Sequence, residues 1–343
     1  MRAALTRSLE NAPTDEPAIP ASPGDRRRIA AIVLNYRTPA LAIDCLESLV
    51  PELDLSSDAV LVVDNGSADH STALIRAHLT LRAWPRVNLL EIRHNGGFSS
   101  GMSCGIRAVD SEAYLLLNSD TRVMPGAVRL LWDELRSDPA VGLVSPRLEG
   151  LDGSPQISCF RFHTPWSELI DASGTGLVRD LLACWDVPIP AAAAPSEPSW
   201  TSFAAVMLAR SAIERVGYLD EKFFMYFEDV DYCRRVWRTG LRVRHQPRAR
   251  VVHLKGQSFP LDEWIAARAR LPRFYYESRS RYFRKAFGAS GPLLANAFWT
   301  VGRAISKIRE CVERKPPSVP RGQFRDIWTD ARPFGSSPSG DPL

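Results

Sequence analysis

Residues 29–65, IAAIVLNYRTPALAIDCLESLVPELDLSSDAVLVVDN, decide the architecture. Ile29–Leu34 is a short unbroken apolar run, Ala40–Val50 carries apolar residues at helical spacing, and Ala59–Val63 is a second apolar run. Two such runs joined by an amphipathic helix read as buried parallel strands with a crossover between them. The alternation continues through helical Ala68–Leu81, strand Val87–Ile92, helical Gly101–Val109, strand Tyr114–Leu117 and helical Gly126–Leu135. The fold expected is α/β, a mostly parallel sheet flanked by helices on both faces. Ligands of such sheets bind outside the carboxyl ends of the strands, so residues that follow the apolar runs are the first candidates for function.

Outward from this block the pattern loosens. Residues 1–28 are rich in Pro, Ala, Asp and Arg without periodicity, residues 316–343 are rich in Pro, Ser and Gly, and both ends read as flexible tails. Asp152–Ser199 reads as a loop with short helices. Apolar runs return at Phe203–Leu208, Leu241–Val243 and Arg250–Leu254, the last two bracketing the close of the sheet. Residues 29–260 therefore form the main domain, and 261–315 a basic, aromatic helical extension broken at Gly288–Pro292.

Composition removes several classes of protein. With 45% hydrophobic and 24% charged residues in 343, the chain is an ordinary globular one. No apolar run approaches the ~18 residues of a spanning helix, and Met1–Pro20 lacks an apolar signal-peptide core, which places the protein in the cytoplasm. Cys45, Cys104, Cys159, Cys184, Cys233 and Cys311 are scattered without a C-x-x-C, as reduced, mostly buried thiols are. From Leu241 to Lys315 there are 17 Lys and Arg against 5 Asp and Glu, a local +12 on a chain of net charge +4. Such a quarter suits an anionic membrane surface or a diphosphate, or else it solvates helices. It holds no recognisable nucleic-acid module, so nucleic acid is not an expected partner.

The first strand runs into Asn35-Tyr36-Arg37-Thr38-Pro39 and lacks G-x-G-x-x-G, against a dinucleotide site; no P-loop occurs either. Asp64, at the carboxyl end of the second strand, is placed to accept from a pyrimidine N–H or a ribose hydroxyl, whereas Ser67 and Asp69 suit the cap of the next helix. Gly96–Gly101 fits a flexible turn as well as a phosphate cradle. Asn118-Ser119-Asp120 follows the fourth strand, where one carboxylate suits Mg²⁺ or Mn²⁺ on a diphosphate. In Phe223–Arg235 a run of aromatics precedes Glu228, Asp229 and Asp231 at a helix start. Those acids either complement the helix dipole or, beside an aromatic wall, have a pKa raised toward that of a general base. His253, closing a strand, is structural or a metal ligand.

In order along the chain, Val33–Tyr36, Val63–Ser67, Asn95-Gly96-Gly97-Phe98, Leu117–Asp120, Phe223–Asp231 and Val252-His253-Leu254 with Gly256 and Ser258 resemble the family 2 inverting glycosyltransferases of the GT-A fold. The resemblance covers Ile29 to Phe259. It implies a nucleotide-sugar donor bound by Asn35, Tyr36, Asp64, Asn65, Asn95, Phe98, Asn118 and Asp120. It further implies Mn²⁺ or Mg²⁺ on Asp120 and His253, Asp229 as the base, Glu228 as its partner, and acceptor contacts from Trp200, Glu228 and Asp231. Trp200–Ala205 lacks the glycine that the family usually carries after this Trp, and Met102-Ser103 replaces a commonly amide-bearing pair. Phe274–Phe283 is similar to the aromatic and Arg segment of the rhamnosyltransferase-like branch. That likeness implies dTDP-rhamnose as donor and a saccharide or polyprenyl-diphosphate-linked acceptor in cell-surface polysaccharide synthesis, at the inner face of the cytoplasmic membrane. UDP-hexose or UDP-galactofuranose is the alternative donor, and a non-catalytic binding protein of the same fold the alternative class. The oligomeric state is left open.

Overall fold

In a computed structural model of the chain, residues 26–254, 256, 261–314 and 319–331 are described. The expected N-terminal tail up to residue 25, Ser258 and Phe259 of the family-like segment, and residues 332–343 lie outside them. The first half runs β1 (Arg27–Asn35), α1 (Pro39–Leu49), β2 (Ala59–Asn65), α2 (Ser71–Arg82), β3 (Val87–Ile92), α3 (Gly97–Ala108), β4 (Ser111–Asn118), β5 (Thr121–Val123), α4 (Ala127–Arg136) and β6 (Val141–Glu149). Then follow β7 (Cys159–Phe160), α5 (Pro165–Ser173), α6 (Gly176–Leu181), β8 (Trp200–Thr201), β9 (Ala205–Ala209), α7 (Arg210–Val216), α8 (Glu228–Arg238), β10 (Arg242–His253), α9 (Leu261–Ala266), α10 (Arg273–Phe287), α11 (Gly291–Glu313) and α12 (Gln323–Asp326).

Eight strands form one sheet in the order β3-β2-β1-β4-β9-β6-β10-β5. The pairs β1–β2, β1–β4, β2–β3 and β6–β10 are parallel; β9 lies antiparallel between β4 and β6, and β5 antiparallel on β10. The two-residue period of a strand divides the core. Ile29, Ala31 and Val33 of β1, with Val60 and Val62 of β2, share one core with Leu46 and Leu49 of α1 and with Val128 and Leu131 of α4, which lies over β6 and β10. Ala30 and Ile32, with Leu61 and Val63, face α3 through Met102 and Ile106, in a core that continues to Val230 and Val236 of α8. Burial on both faces is why these strands read as continuous apolar runs; each buried branched side chain contributes ~1.5–3 kcal/mol.

Four expectations are corrected. β1 begins at Arg27, inside the expected tail. Leu241–Val243 and Arg250–Leu254 belong to one strand, β10, whose register against β6 slips between Gln246 and Arg250; the polar residues there are a bulge, not a break. Residues 319–331 pack rather than trail: Ile327 and Ala331 are buried, and Arg270 holds Asp326 by two hydrogen bonds of 2.7 and 2.9 Å. Two apolar anchors in a polar stretch are invisible to composition.

The fourth correction concerns the basic extension. Arg279 is buried, donating to Glu168 on α5 (2.7 and 3.1 Å) and to Asn296 on α11 (2.8 Å). Arg281 pairs with Asp220 at 2.6 Å, and Arg284 donates to the Asp330 carbonyl. Tyr276, Tyr282 and Phe283 are buried as well. Here Arg279, Arg281 and Arg284 of α10 are engaged by protein partners, and only Arg273, paired with Glu277 on its own helix, is exposed. Among the described residues no helix is long and apolar enough to cross a membrane.

Candidate active site

Topology gathers the candidates on one edge of the sheet. β1, β2 and β4 are parallel, so Asn35, Asp64, Asn65 and Asn118 end side by side, with Asn35 opposite Asp64 and Leu34 opposite Asn118. β9 runs the other way, so the residues before it lie at that same edge: Ala205 pairs with Leu117, and the Asn118 amide donates to the Ala204 carbonyl at 2.9 Å. This brings in Trp200. β10 delivers His253 opposite Thr121, and the Leu254 amide donates to the Asp120 carbonyl at 2.9 Å.

The expected donor side is a connected polar floor. Asp64 Oδ1 accepts from Asn35 Nδ2 and Ser67 Oγ, both at 2.6 Å, and Oδ2 from the Ser67 amide at 3.1 Å. Asn35 Oδ1 accepts from the Thr38 amide and hydroxyl at 3.2 Å. Asp64 thus braces the turns after β1 and β2, and its second oxygen keeps acceptor capacity. Asn65 Nδ2 donates to Asn95 Oδ1 and the Gly97 carbonyl, each at 3.0 Å, while Asn65 Oδ1 is buried with no hydrogen-bond partner. Tyr36 stands at the surface with the Arg37 guanidinium over its ring. Asp69 accepts from the Ser71 amide at 2.8 Å and so acts in the turn that starts α2.

Asp120 and His253 meet: His253 Nε2 is 3.6 Å from Asp120 Oδ1, which is buried and accepts no hydrogen bond. A buried carboxylate oxygen left without a donor, beside an imidazole nitrogen, is a donor set that suits a divalent cation. These two residues fit the metal that the sequence implied, although among the described residues no group of three protein ligands forms.

The start of α8 meets the segment before β9, where the Phe203 amide reaches Asp229. Tyr226 and Phe227 both adopt left-handed backbone conformations, φ 68° and 65°, an unfavourable arrangement for two consecutive aromatics. The loop is held by Phe98, whose amide donates to the Phe224 carbonyl at 2.7 Å, and a Cβ on Gly97 would collide with that carbonyl. So the Gly96–Gly101 segment is the start of α3 and the seat of the loop that presents Glu228 and Asp229. Asp229 Oδ1 accepts from the Val230 amide at 2.8 Å. Burial pushes the Asp229 carboxyl up to about 7, the Val230, Asp229 and Phe203 amides only partly offsetting it. The Glu228 carboxyl is also raised, by burial and then by the Asp229 charge, and its Oε2 has no hydrogen-bond partner.

Asp231 does not join them. Its Oδ2 takes Arg235 Nε at 2.9 Å and its Oδ1 takes Lys285 Nζ at 2.7 Å, so both oxygens are engaged in tying α8 to α10. The expected acceptor contact at Asp231 is thus a structural ion pair, the two residues that separate it from Asp229 being enough to turn it about 200° around the helix. Trp200 is buried, its ring stacked on Phe160 (4.0 Å) and its Nε1 donating to the Arg161 carbonyl at 2.8 Å. Sequence reasoning missed His163. Its ring lies 5.2 Å from Phe227 and 5.8 Å from Trp200, and burial, then Arg279, lowers its pKa to about 4. The cluster Phe160-Arg161-Phe162-His163 in a segment read as loop was the available signal.

The model of glycosyl transferase family group 2 matches residues 114–305, and that of glycosyl transferase family 2 matches residues 30–173. The chain is 27% identical over 248 residues to the N-acetylglucosaminyl-diphospho-decaprenol L-rhamnosyltransferase of Mycobacterium tuberculosis, covering 63% of this chain and 74% of that protein. It is 29% identical over 361 residues to the pre-mycofactocin glycosyltransferase of the same organism, covering 98% and 69%. Among solved structures, the mannosyltransferase PcManGT of Pyrobaculum calidifontis, in complex with GDP-Man and Mn²⁺, superimposes with a TM-score of 0.52 at 16% identity over 89% of this chain and 81% of that one. GalNAc-T7 with UDP, GalNAc and Mn²⁺ gives 0.53 at 13% identity over 83% and 55%. At these identities the structures establish the shared GT-A-like fold.

Proposed function

The chain belongs to glycosyl transferase family 2, and on that premise we propose that it transfers a sugar, rhamnose from dTDP-rhamnose, to a hydroxyl of a saccharide carried on a polyprenyl diphosphate, with inversion. The observation that carries the chemistry is Asp229, held at the start of α8 with its pKa raised to about 7 and braced by the donor-side segment through Phe98 and Phe224. A carboxylate of that basicity accepts the proton of the attacking hydroxyl near neutral pH. Glu228 beside it, its own carboxyl raised by burial and then by the Asp229 charge, offers an unused oxygen to a second acceptor hydroxyl. Asn35, Asp64, Asn65 and Asn118 line the donor side, and Trp200, with His163 and Phe227, forms an aromatic wall on the acceptor side. Asp120 and His253 would hold a divalent cation, Mn²⁺ or Mg²⁺, which supplies positive charge to the diphosphate leaving group.

The choice of sugar and acceptor rests on likeness to the mycobacterial rhamnosyltransferase, whose name gives a diphospho-decaprenol acceptor. Work on such a lipid-borne acceptor would take place at the inner face of the cytoplasmic membrane. Likeness to the pre-mycofactocin glycosyltransferase supports a second reading, in which another nucleotide sugar is the donor. The test is release of nucleoside diphosphate from a panel of sugar nucleotides, with Mn²⁺, with Mg²⁺ and with EDTA. dTDP-rhamnose should turn over fastest. A faster UDP-sugar would replace the donor assignment, and no turnover with any donor would point to the non-catalytic alternative.

A further inference from the structure

α11 carries apolar residues on two opposite faces, with Arg303, Arg309 and Glu310 between them. One face, with Ala295, Trp299, Gly302 and Ser306, is buried within the protein. The opposite face is exposed, and there Leu294, Ala297, Val301, Ala304, Ile308 and Cys311 recur at intervals of three and four residues. That is a heptad seam of three repeats, with Leu294, Val301 and Ile308 at the first core position and Ala297, Ala304 and Cys311 at the second. Leu294, Val301 and Ile308 are 46%, 53% and 67% exposed. Between residues 293 and 312 the exposed face carries one charged side chain, Lys307. A surface helix with a second, exposed apolar seam opposite its buried face is one that something else covers.

The geometry points to a second copy of this chain, docked through α11 as an antiparallel, two-fold symmetric helix pair. The order of side-chain sizes carries the orientation. Running the seam against itself in reverse sets Leu294 against the partner's Cys311, Ala297 against the partner's Ile308, and Val301 against the partner's Ala304. Every layer then joins a large residue to a small one, as an isologous contact requires of a self-complementary surface. A parallel pair would stack large on large and leave gaps at the alanines and cysteine.

Area agrees. Leu293, Leu294, Val301, Ile308 and Val312, with the three small residues, expose roughly 600 Å², at the upper end of the largest apolar patch on an ordinary monomer. On one flank Phe298 meets Trp166 (4.7 Å between ring centres), which meets Trp185. These tryptophans carry the surface toward the ~800 Å² per partner of a stable interface. An anionic lipid surface would call for a basic border, and Lys307, with Arg314 beside the acidic Glu313 at the helix end, does not make one.

Light scattering or sedimentation equilibrium on the full chain at tens of micromolar tests this. The mass expected is twice 38.2 kDa. Val301→Glu with Ile308→Glu should halve it and leave the circular dichroism unchanged, because both residues face outward in the protomer. For orientation, Leu294→Cys in a Cys184→Ser background should give a disulfide-linked dimer through the partner's Cys311. Cys184→Ser alone should not, since the two native Cys311 residues would lie ~25 Å apart along the helices. A monomeric native chain overturns the proposal, whether it stays free or floats with anionic vesicles. So does a dimer that survives the glutamate pair, or one that crosslinks through Cys311 alone.

Discussion

Replacing Asp229 by Asn should have opposite effects on activity and stability. Asn keeps the size of the side chain and an oxygen for the Val230 amide, which Asp229 Oδ1 accepts at 2.8 Å, but it cannot take a proton. Loss of a general base costs ~10²–10⁴-fold in turnover, with donor binding nearly unchanged. The stability effect follows from the raised pKa, about 7 in the folded protein against an ordinary 3.8. As pH climbs above 3.8 the unfolded chain gives up this proton while the folded one retains it, so folding weakens steadily until about pH 7 and then levels off. At 1.36 kcal/mol per unit the full difference is ~4 kcal/mol, which solvent reaching a half-buried side chain reduces to about 1–3 kcal/mol. Asp229→Asn should therefore be more stable than the native protein at pH 8, and the gain should vanish near pH 4. Initial rates of nucleoside diphosphate release and denaturant melts at pH 4, 6 and 8 measure both. In the native enzyme, kcat/KM should rise with pH to a plateau near 7. Native-like turnover in the variant, or a stability difference that does not depend on pH, would remove Asp229 from this role.

Asp120→Ala and His253→Ala should each weaken donor binding in Mn²⁺ far more than in EDTA, measured by calorimetry; equal losses in both buffers would make the pair structural. Gly97→Ala puts a methyl group onto the Phe224 carbonyl at a residue with φ 86°, which should cost ~1–3 kcal/mol and lower kcat by disturbing the loop before Glu228; unchanged melting and turnover would show that the loop is not seated there. Arg279→Met strands the Glu168 carboxylate in the interior and should cost ~3–5 kcal/mol, most of it regained by adding Glu168→Leu; a single variant within 1 kcal/mol of native would contradict the buried pair.

Much of this protein is written locally in its sequence. The βαβ start, the strands buried on both faces and their polar ends at Asn35, Asp64 and Asn118 follow from periodicity, because both faces of the sheet must be covered and parallel strands end on one edge. Asp229 was legible as a candidate from its aromatic neighbours. What tertiary structure decided is where distant segments meet. The antiparallel insertion of β9, which sets Trp200 and Phe203 at the strand ends, depends on pairing nearly 90 residues apart with β4, and no local pattern reports strand direction. The meeting of Asp120 with His253 likewise awaits β5 folding onto β10. Asp231 looked equal to Asp229 in sequence, and only Lys285 from α10 and Arg235 show that its charge is spent inside. The arginines of α10 are the same case: charge is visible in a sequence, but whether it faces water, lipid or a buried carboxylate is set by what the fold brings opposite, here Glu168 and Asp220.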